Sequence, residues 1–216
     1  MPRFQVRFPL FARRAFVALA LAALALPAFA TSTVMVFGDS LSAAYGLASG
    51  DGWVSLLARR LSREGLPWQV VNASVSGETT AGGLSRLPAD LARHHPSVVL
   101  IELGANDALR GQPVSEIRAN LERMIQLVRK ARAQPVLVGI MIPPNYGIDY
   151  AAEFRELYPK VAKEDKVALV PFLLAGVAGH PELFQPDQLH PTAAAQPTLV
   201  DNVWRTLEPL LAKKGS

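Results

Sequence analysis

The chain has no cysteine among its 216 residues. That excludes disulfides, a thiolate nucleophile, cysteine-ligated zinc and a lipid-bearing N-terminal cysteine. It also lacks internal repeats, low-complexity tracts and any linker-like stretch that would divide the part following the N-terminal segment. Its excess of positive charge is confined to the N-terminus. Of the 22 Lys and Arg, four (Arg3, Arg7, Arg13 and Arg14) lie in the first 30 residues, where there is no acid. The remainder balances 18 basic against 18 acidic residues, so the sequence pI near 9.6 implies no basic face for nucleic acid. After the N-terminal apolar run no second one approaches membrane length, so no membrane-spanning segment is expected.

The first 30 residues read as a secretory signal peptide. A basic start precedes the apolar, Ala-rich run Ala15 to Leu26, and Pro27-Ala28-Phe29-Ala30 ends in a small-x-small cleavage pattern. The run is about a dozen residues, too short to span a bilayer. Cleavage near Ala30 leaves residues 31–216 as one domain, expected in the periplasm or outside the cell and without a stable membrane anchor.

Within that domain, apolar strand-like runs alternate with helical patterns. Strands are expected at 34–37, 69–75, 98–103, 136–142 and 167–170. They are rich in Val, Ile and Leu without polar alternation, as in parallel strands covered on both faces. Helices are expected at 53–64, 84–95, 114–133, 151–164 and 192–211. The third is the clearest, with Ile117, Leu121, Met124, Ile125 and Val128 on one face and Glu116, Arg118, Glu122, Arg123 and Arg129 opposite. This alternation predicts an α/β fold with a five-stranded parallel sheet between helical layers.

The run Thr33-Val34-Met35-Val36-Phe37 leads into Gly38-Asp39-Ser40-Leu41-Ser42, a serine-bearing loop in which the glycine would let the backbone turn sharply. A serine hydroxyl needs a base, the base an orienting carboxylate, and the developing oxyanion fixed donors. Four histidines could be the base. His94 and His95 end a helix before Pro96 and read as solvated residues complementing its dipole. His180 sits in a loop without a carboxylate at useful spacing. His190 has Asp187 three residues before it, between Pro186 and Pro191. Locally this pair reads equally as a cap on the last helix, with Pro191 its first residue; the serine loop upstream favours a catalytic role. Asn106, in Gly104-Ala105-Asn106-Asp107, is either an oxyanion donor or a turn residue. Gly77 is either a turn glycine or a backbone donor, and Asp39 and Asp107 read as loop organisers. No set of residues has metal-ligand spacing.

These pieces, with Asn72-Ala73-Ser74-Val75-Ser76-Gly77, Pro144-Asn145-Tyr146-Gly147 and Asp187 to Pro191, resemble the SGNH hydrolases of the GDSL group along the whole domain. The resemblance implies a flavodoxin-like three-layer α/β/α sandwich and a triad of Ser40, Asp187 and His190. It also implies an oxyanion hole from the Ser40 and Gly77 amides and the Asn106 side chain. The implied activity is hydrolysis of acyl esters and thioesters through an acyl-enzyme, of arylesterase, thioesterase or lysophospholipase type, by a monomer with small-molecule substrates and no cofactor. A carbohydrate O-acetylesterase and a non-catalytic lipid-binding protein are the alternatives. The segment after the fourth strand suggests an acyl wall of Ile142, Pro143, Tyr146 and Ile148, and Glu78 to Gly83, rich in small residues, reads as a mobile loop beside it.

Overall fold

The computed structural model describes residues 32–212; the signal-peptide expectation lies outside them. Five parallel strands, β1 (Ser32–Gly38), β2 (Trp68–Asn72), β3 (Val98–Glu102), β4 (Gln134–Val138) and β5 (Ala168–Val170), form one sheet in the order β2-β1-β3-β4-β5. That is the flavodoxin-like order. The helices are α1 (Trp53–Arg63), α2 (Thr80–His94), α3 (Ala105–Leu109), α4 (Val114–Lys130), α5 (Ile148–Glu164) and α6 (Gln196–Ala212). α1 packs on α6, while α2 packs on α4 and α4 on α5, giving the two helical layers. The apolar face read in α4 is buried from Ile117 to Val128. Without disulfides, cohesion comes from this core, where each fully buried large aliphatic side chain contributes about 1.5–3 kcal/mol.

Strand order reverses about β1, which lies between β2 and β3. Ligand sites in such sheets lie in the crevice beyond the carboxyl ends of the strands at this switch point. The Ser40 loop follows β1, Gly77 follows β2 and Asn106 follows β3, so the topology delivers all three to one edge.

Several boundaries differ from expectation. β2 stops at Asn72, although Ala73 and Val75 still donate to the carbonyls of Val36 and Gly38 at 2.8 and 3.0 Å. β4 stops at Val138 and the chain continues irregularly through Ile142. α2 starts at Thr80, with the Thr79 hydroxyl accepting the Gly82 N–H at 3.2 Å as its cap. Gly82 and Gly83 therefore belong to the first turn of a helix, not to a mobile loop. Pro191 does not open a helix. It forms an antiparallel bridge with Phe184, and α6 begins at Gln196 after a 3₁₀ turn at Ala193–Ala195.

Candidate active site

Gly38 owes its place to crowding rather than to a turn. It is the last residue of β1, and a Cβ there would meet the Glu102 carboxyl at 2.5 Å and the Ser42 hydroxyl at 2.8 Å. The loop after it closes on itself, with the Ala43 N–H donating to the Asp39 carbonyl and the Tyr45 N–H to the Ser40 carbonyl. It presents Ser40 partly exposed at the sheet edge. On the C-terminal side, Pro186 sits inside a turn in which the Gln188 N–H donates to the Gln185 carbonyl at 2.9 Å. Asp187 Oδ1 then accepts the backbone N–H groups of Leu189 and His190, each at 3.0 Å.

Ser40, Asp187 and His190 meet in one line. Asp187 Oδ2 lies 2.7 Å from His190 Nδ1, and His190 Nε2 lies 2.8 Å from Ser40 Oγ. The backbone N–H of His190, foremost among its donors, draws the Asp187 carboxyl down to about 2. A carboxylate only accepts, so Nδ1 carries the ring proton and the Nε2 lone pair faces the Ser40 hydroxyl. The Tyr45 ring packs on the imidazole at 4.6 Å between centroids.

The expected oxyanion donors surround the same spot. Among the described residues no group accepts the N–H of Ser40 or of Gly77. Gly77 has φ +78 with open space around it, a conformation that costs a side-chain-bearing residue. Asn106 is more constrained than the sequence suggested. Its Nδ2 donates to Asp39 Oδ2 and to the Glu78 carbonyl, both at 3.0 Å, so both amide protons are already engaged. Asp107 braces the neighbouring helix, accepting the Thr80 N–H at 2.8 Å and the Thr80 hydroxyl at 2.6 Å.

Ser40, Asn106 and His190 open into a cavity of about 230 Å³ walled by Leu41, Leu109, Ile140, Met141, Ile142, Pro143, Leu174 and Leu189. A second cavity of about 440 Å³ shares Met141, Ile142, Pro143, Leu174 and Leu189 with the first and extends past Phe172 and Phe184. Of the four residues expected in the acyl wall, Ile142 and Pro143 line these cavities. Tyr146 and Ile148 line neither: Tyr146 ends a 3₁₀ turn, Ile148 opens α5, and both are exposed. Leu174, after β5, and Tyr45, five residues past Ser40, were not foreseen. Leu174 at least could have been, since its strand ends at the same sheet edge. His180 differs from expectation in having a carboxylate partner, Glu182 at 3.2 Å, in an exposed pair; it lines the second cavity and makes no hydrogen bond to Ser40, Asp187 or His190.

A parallel sandwich carrying a serine, a histidine and an aspartate in hydrogen-bonded line at its carboxyl edge defines the class of serine hydrolases. Comparison with known proteins agrees. Residues 36–196 match the GDSL-like lipase/acylhydrolase family, and the chain belongs to that family. It is 52% identical over 182 residues to esterase TesA of Pseudomonas aeruginosa, covering 84% of this chain and 90% of that protein. It is 42% identical over 188 residues to thioesterase 1/protease 1/lysophospholipase L1 of Escherichia coli K12, covering 85% and 87%. Among solved structures, the esterase EstA from Pseudoalteromonas sp., inhibited by monoethylphosphonate, superposes with a TM-score of 0.80 at 40% identity, covering 84% of this chain and 99% of that one.

Proposed function

We propose that the protein hydrolyses acyl esters and thioesters with Ser40 as nucleophile, His190 as general base and acid, and Asp187 holding the ring. The observation that carries this is the continuous line Asp187–His190–Ser40 at 2.7 and 2.8 Å, opening on an apolar cavity. Ser40 Oγ attacks the carbonyl carbon as its proton passes to His190 Nε2. The oxyanion forms beside the free N–H groups of Ser40 and Gly77, and the Asn106 amide joins them by turning one N–H from the Glu78 carbonyl toward the oxyanion while the other stays on Asp39. Collapse breaks the bond to the alkoxide, aryloxide or thiolate, which leaves with the proton from Nε2. Water then repeats the sequence on the acyl-enzyme. The leader-like residues 1–30 support export of the enzyme, and the small apolar cavities beside Ser40 support small-molecule substrates.

Asn106→Ala is expected to lower kcat by about 10²–10³ with little change in KM, since an oxyanion donor acts mainly in the transition state. A folded variant with near wild-type kcat would return Asn106 to a turn role.

The two contiguous cavities support medium or long acyl chains over acetyl. Each methylene buried contributes about 0.8 kcal/mol, and 1.4 kcal/mol is a factor of ten. From acetyl to octanoyl, kcat/KM is expected to rise tenfold or more. A series of p-nitrophenyl esters from acetyl to palmitoyl, with palmitoyl-CoA and an acetylated sugar, tests the reading. A steady fall with chain length would favour the O-acetylesterase instead, and no turnover of any ester would favour a binding protein.

A further inference from the structure

Behind the serine loop lies a carboxyl pair that the triad does not use. Glu102, at the end of β3, is fully buried. One of its oxygens, Oε2, accepts the Ser42 hydroxyl at 2.6 Å and the Asp39 N–H at 3.3 Å; the other, Oε1, is buried without a partner. An ion with an orphaned oxygen in the core would be costly, whereas a neutral acid is tolerable. Asp39, 1% exposed, has a different environment. Its Oδ1 accepts the Leu41 N–H and its Oδ2 the Asn106 amide, each at 3.0 Å, so two donors favour its charged form.

We propose that Asp39 is a positioning residue for the reaction: its carboxylate, backed by a neutral Glu102, holds the Asn106 amide and the serine loop, so that activity requires one carboxyl to be ionised as well as His190 to be neutral. The inference rests on the hydrolase reading above. Asp39 touches no reacting atom; it acts through Asn106. Protonating Asp39 removes the charge that anchors the amide and leaves Asn106 a weaker, neutral acceptor there beside the Glu78 carbonyl.

Electrostatics agree with this division of roles. Burial raises Glu102 well above the usual carboxylate range, and the Asp39 charge raises it further. Burial also raises Asp39, to about 6, against the lowering effect of the Leu41 N–H, the His190 charge and the Asn106 amide. The groups facing the pair are His190 from the C-terminal loop and the buried Tyr158 hydroxyl from α5, itself raised by burial and by the charges of Glu102, Asp39 and Asp107 of α3.

The test is kcat/KM between pH 4.5 and 8 on a p-nitrophenyl ester, which carries no ionisable group, for wild type, Asp39→Asn and Glu102→Gln. In wild type, two deprotonations should steepen the acid limb of log kcat/KM from a slope of one toward two below about pH 6. Asp39→Asn should show a slope of one and a plateau lowered roughly tenfold, in kcat rather than KM, because the single amide oxygen can keep only one of the two donors, the Leu41 N–H or the Asn106 amide, and keeps it without the charge. Glu102→Gln, neutral and of the same shape, should keep kcat within about twofold.

The melting temperature adds a readout independent of turnover. A carboxyl raised on folding holds a proton that the unfolded chain releases above its ordinary value, so its burial costs more stability as pH rises. Glu102→Gln removes that cost. Its gain in Tm over wild type should therefore grow from pH 5 to pH 8; a gain that stays flat or shrinks would mean that Glu102 is already charged in the folded protein and would overturn the proposal. A wild-type acid limb with a slope of one would overturn it too, whether or not Asp39→Asn folds. Failure of this proposal stays distinct from failure of the hydrolase reading, because the wild type is first checked for covalent phosphonylation at Ser40. Absence of the adduct condemns the hydrolase reading; an adduct with a slope of one condemns only the role of Asp39.

Discussion

Ser40→Ala is expected to lower kcat by about 10⁶-fold while leaving the fold intact. The Ser40 hydroxyl is the one oxygen nucleophile placed 2.8 Å from His190 Nε2, and its only side-chain hydrogen bond among the described residues is that one. Removing it therefore costs the covalent route and little stability. What should remain is the residual catalysis of the donors and the cavity, which in serine hydrolases amounts to about 10³–10⁴ over the uncatalysed rate. Steady-state kinetics on a p-nitrophenyl ester, with a melting curve to confirm folding, checks this. A purified variant that keeps more than a hundredth of wild-type kcat would show that another group attacks.

Asp187→Asn is expected to cost about 10⁴ in kcat with KM nearly unchanged. KM is spared because Asp187 lines neither apolar cavity. The large loss follows from the tautomer. The carboxylate can only accept, so it keeps the proton on Nδ1. An asparagine amide can offer its NH₂ to Nδ1 instead, moving the ring proton to Nε2, where it points at the Ser40 hydroxyl and cannot accept from it. The pH dependence has a definite sign. Asp187, held down to about 2 by the backbone N–H of His190 above all, stays ionised through the whole assay range. Loss of activity on acidification within that range therefore does not come from Asp187. A loss in Asp187→Asn below about tenfold would mean that the backbone of the 187–190 loop, rather than the charge, orients the ring.

Much of this was legible in the chain because its determinants are local. The central strands β1 and β3 are β-branched and Leu-rich runs buried along almost their whole length, and the buried face of α4 follows the 3.6-residue period residue by residue. Asp187 and His190 lie three apart, so one turn suffices to bring them together. Their meeting with Ser40, 150 positions away, was readable only by joining the serine loop upstream to this pair, a reading that the resemblance of the whole motif set strengthened.

What escaped depends on how loops from different strands pack. Tyr146 and Ile148 look like wall material by composition, but a 3₁₀ turn and a helix start place them in solvent. Glu102 looks like the polar end of an apolar strand; only the absence of a Cβ at Gly38 makes room for its carboxyl behind the serine loop. The double engagement of the Asn106 amide required knowing that the Asp39 carboxylate and the Glu78 carbonyl converge from two other loops. The reading of Gly82 and Gly83 as a loop failed because tertiary packing overrides their low helix propensity: Gly83 sits where a Cβ would meet Leu103 at 2.5 Å.

The central claim, that Ser40 is the nucleophile, is tested most directly by reaction with an alkyl fluorophosphonate followed by peptide mass spectrometry. Ser40 Oγ attacks phosphorus, fluoride leaves, and the serine proton is taken up by His190, giving a stable phosphonyl ester in place of the acyl-enzyme. The account predicts one adduct per chain, on the peptide containing Ser40, formed in step with loss of esterase activity and absent in Ser40→Ala. An adduct on any other residue, or full activity in protein whose Ser40 is completely phosphonylated, would contradict it.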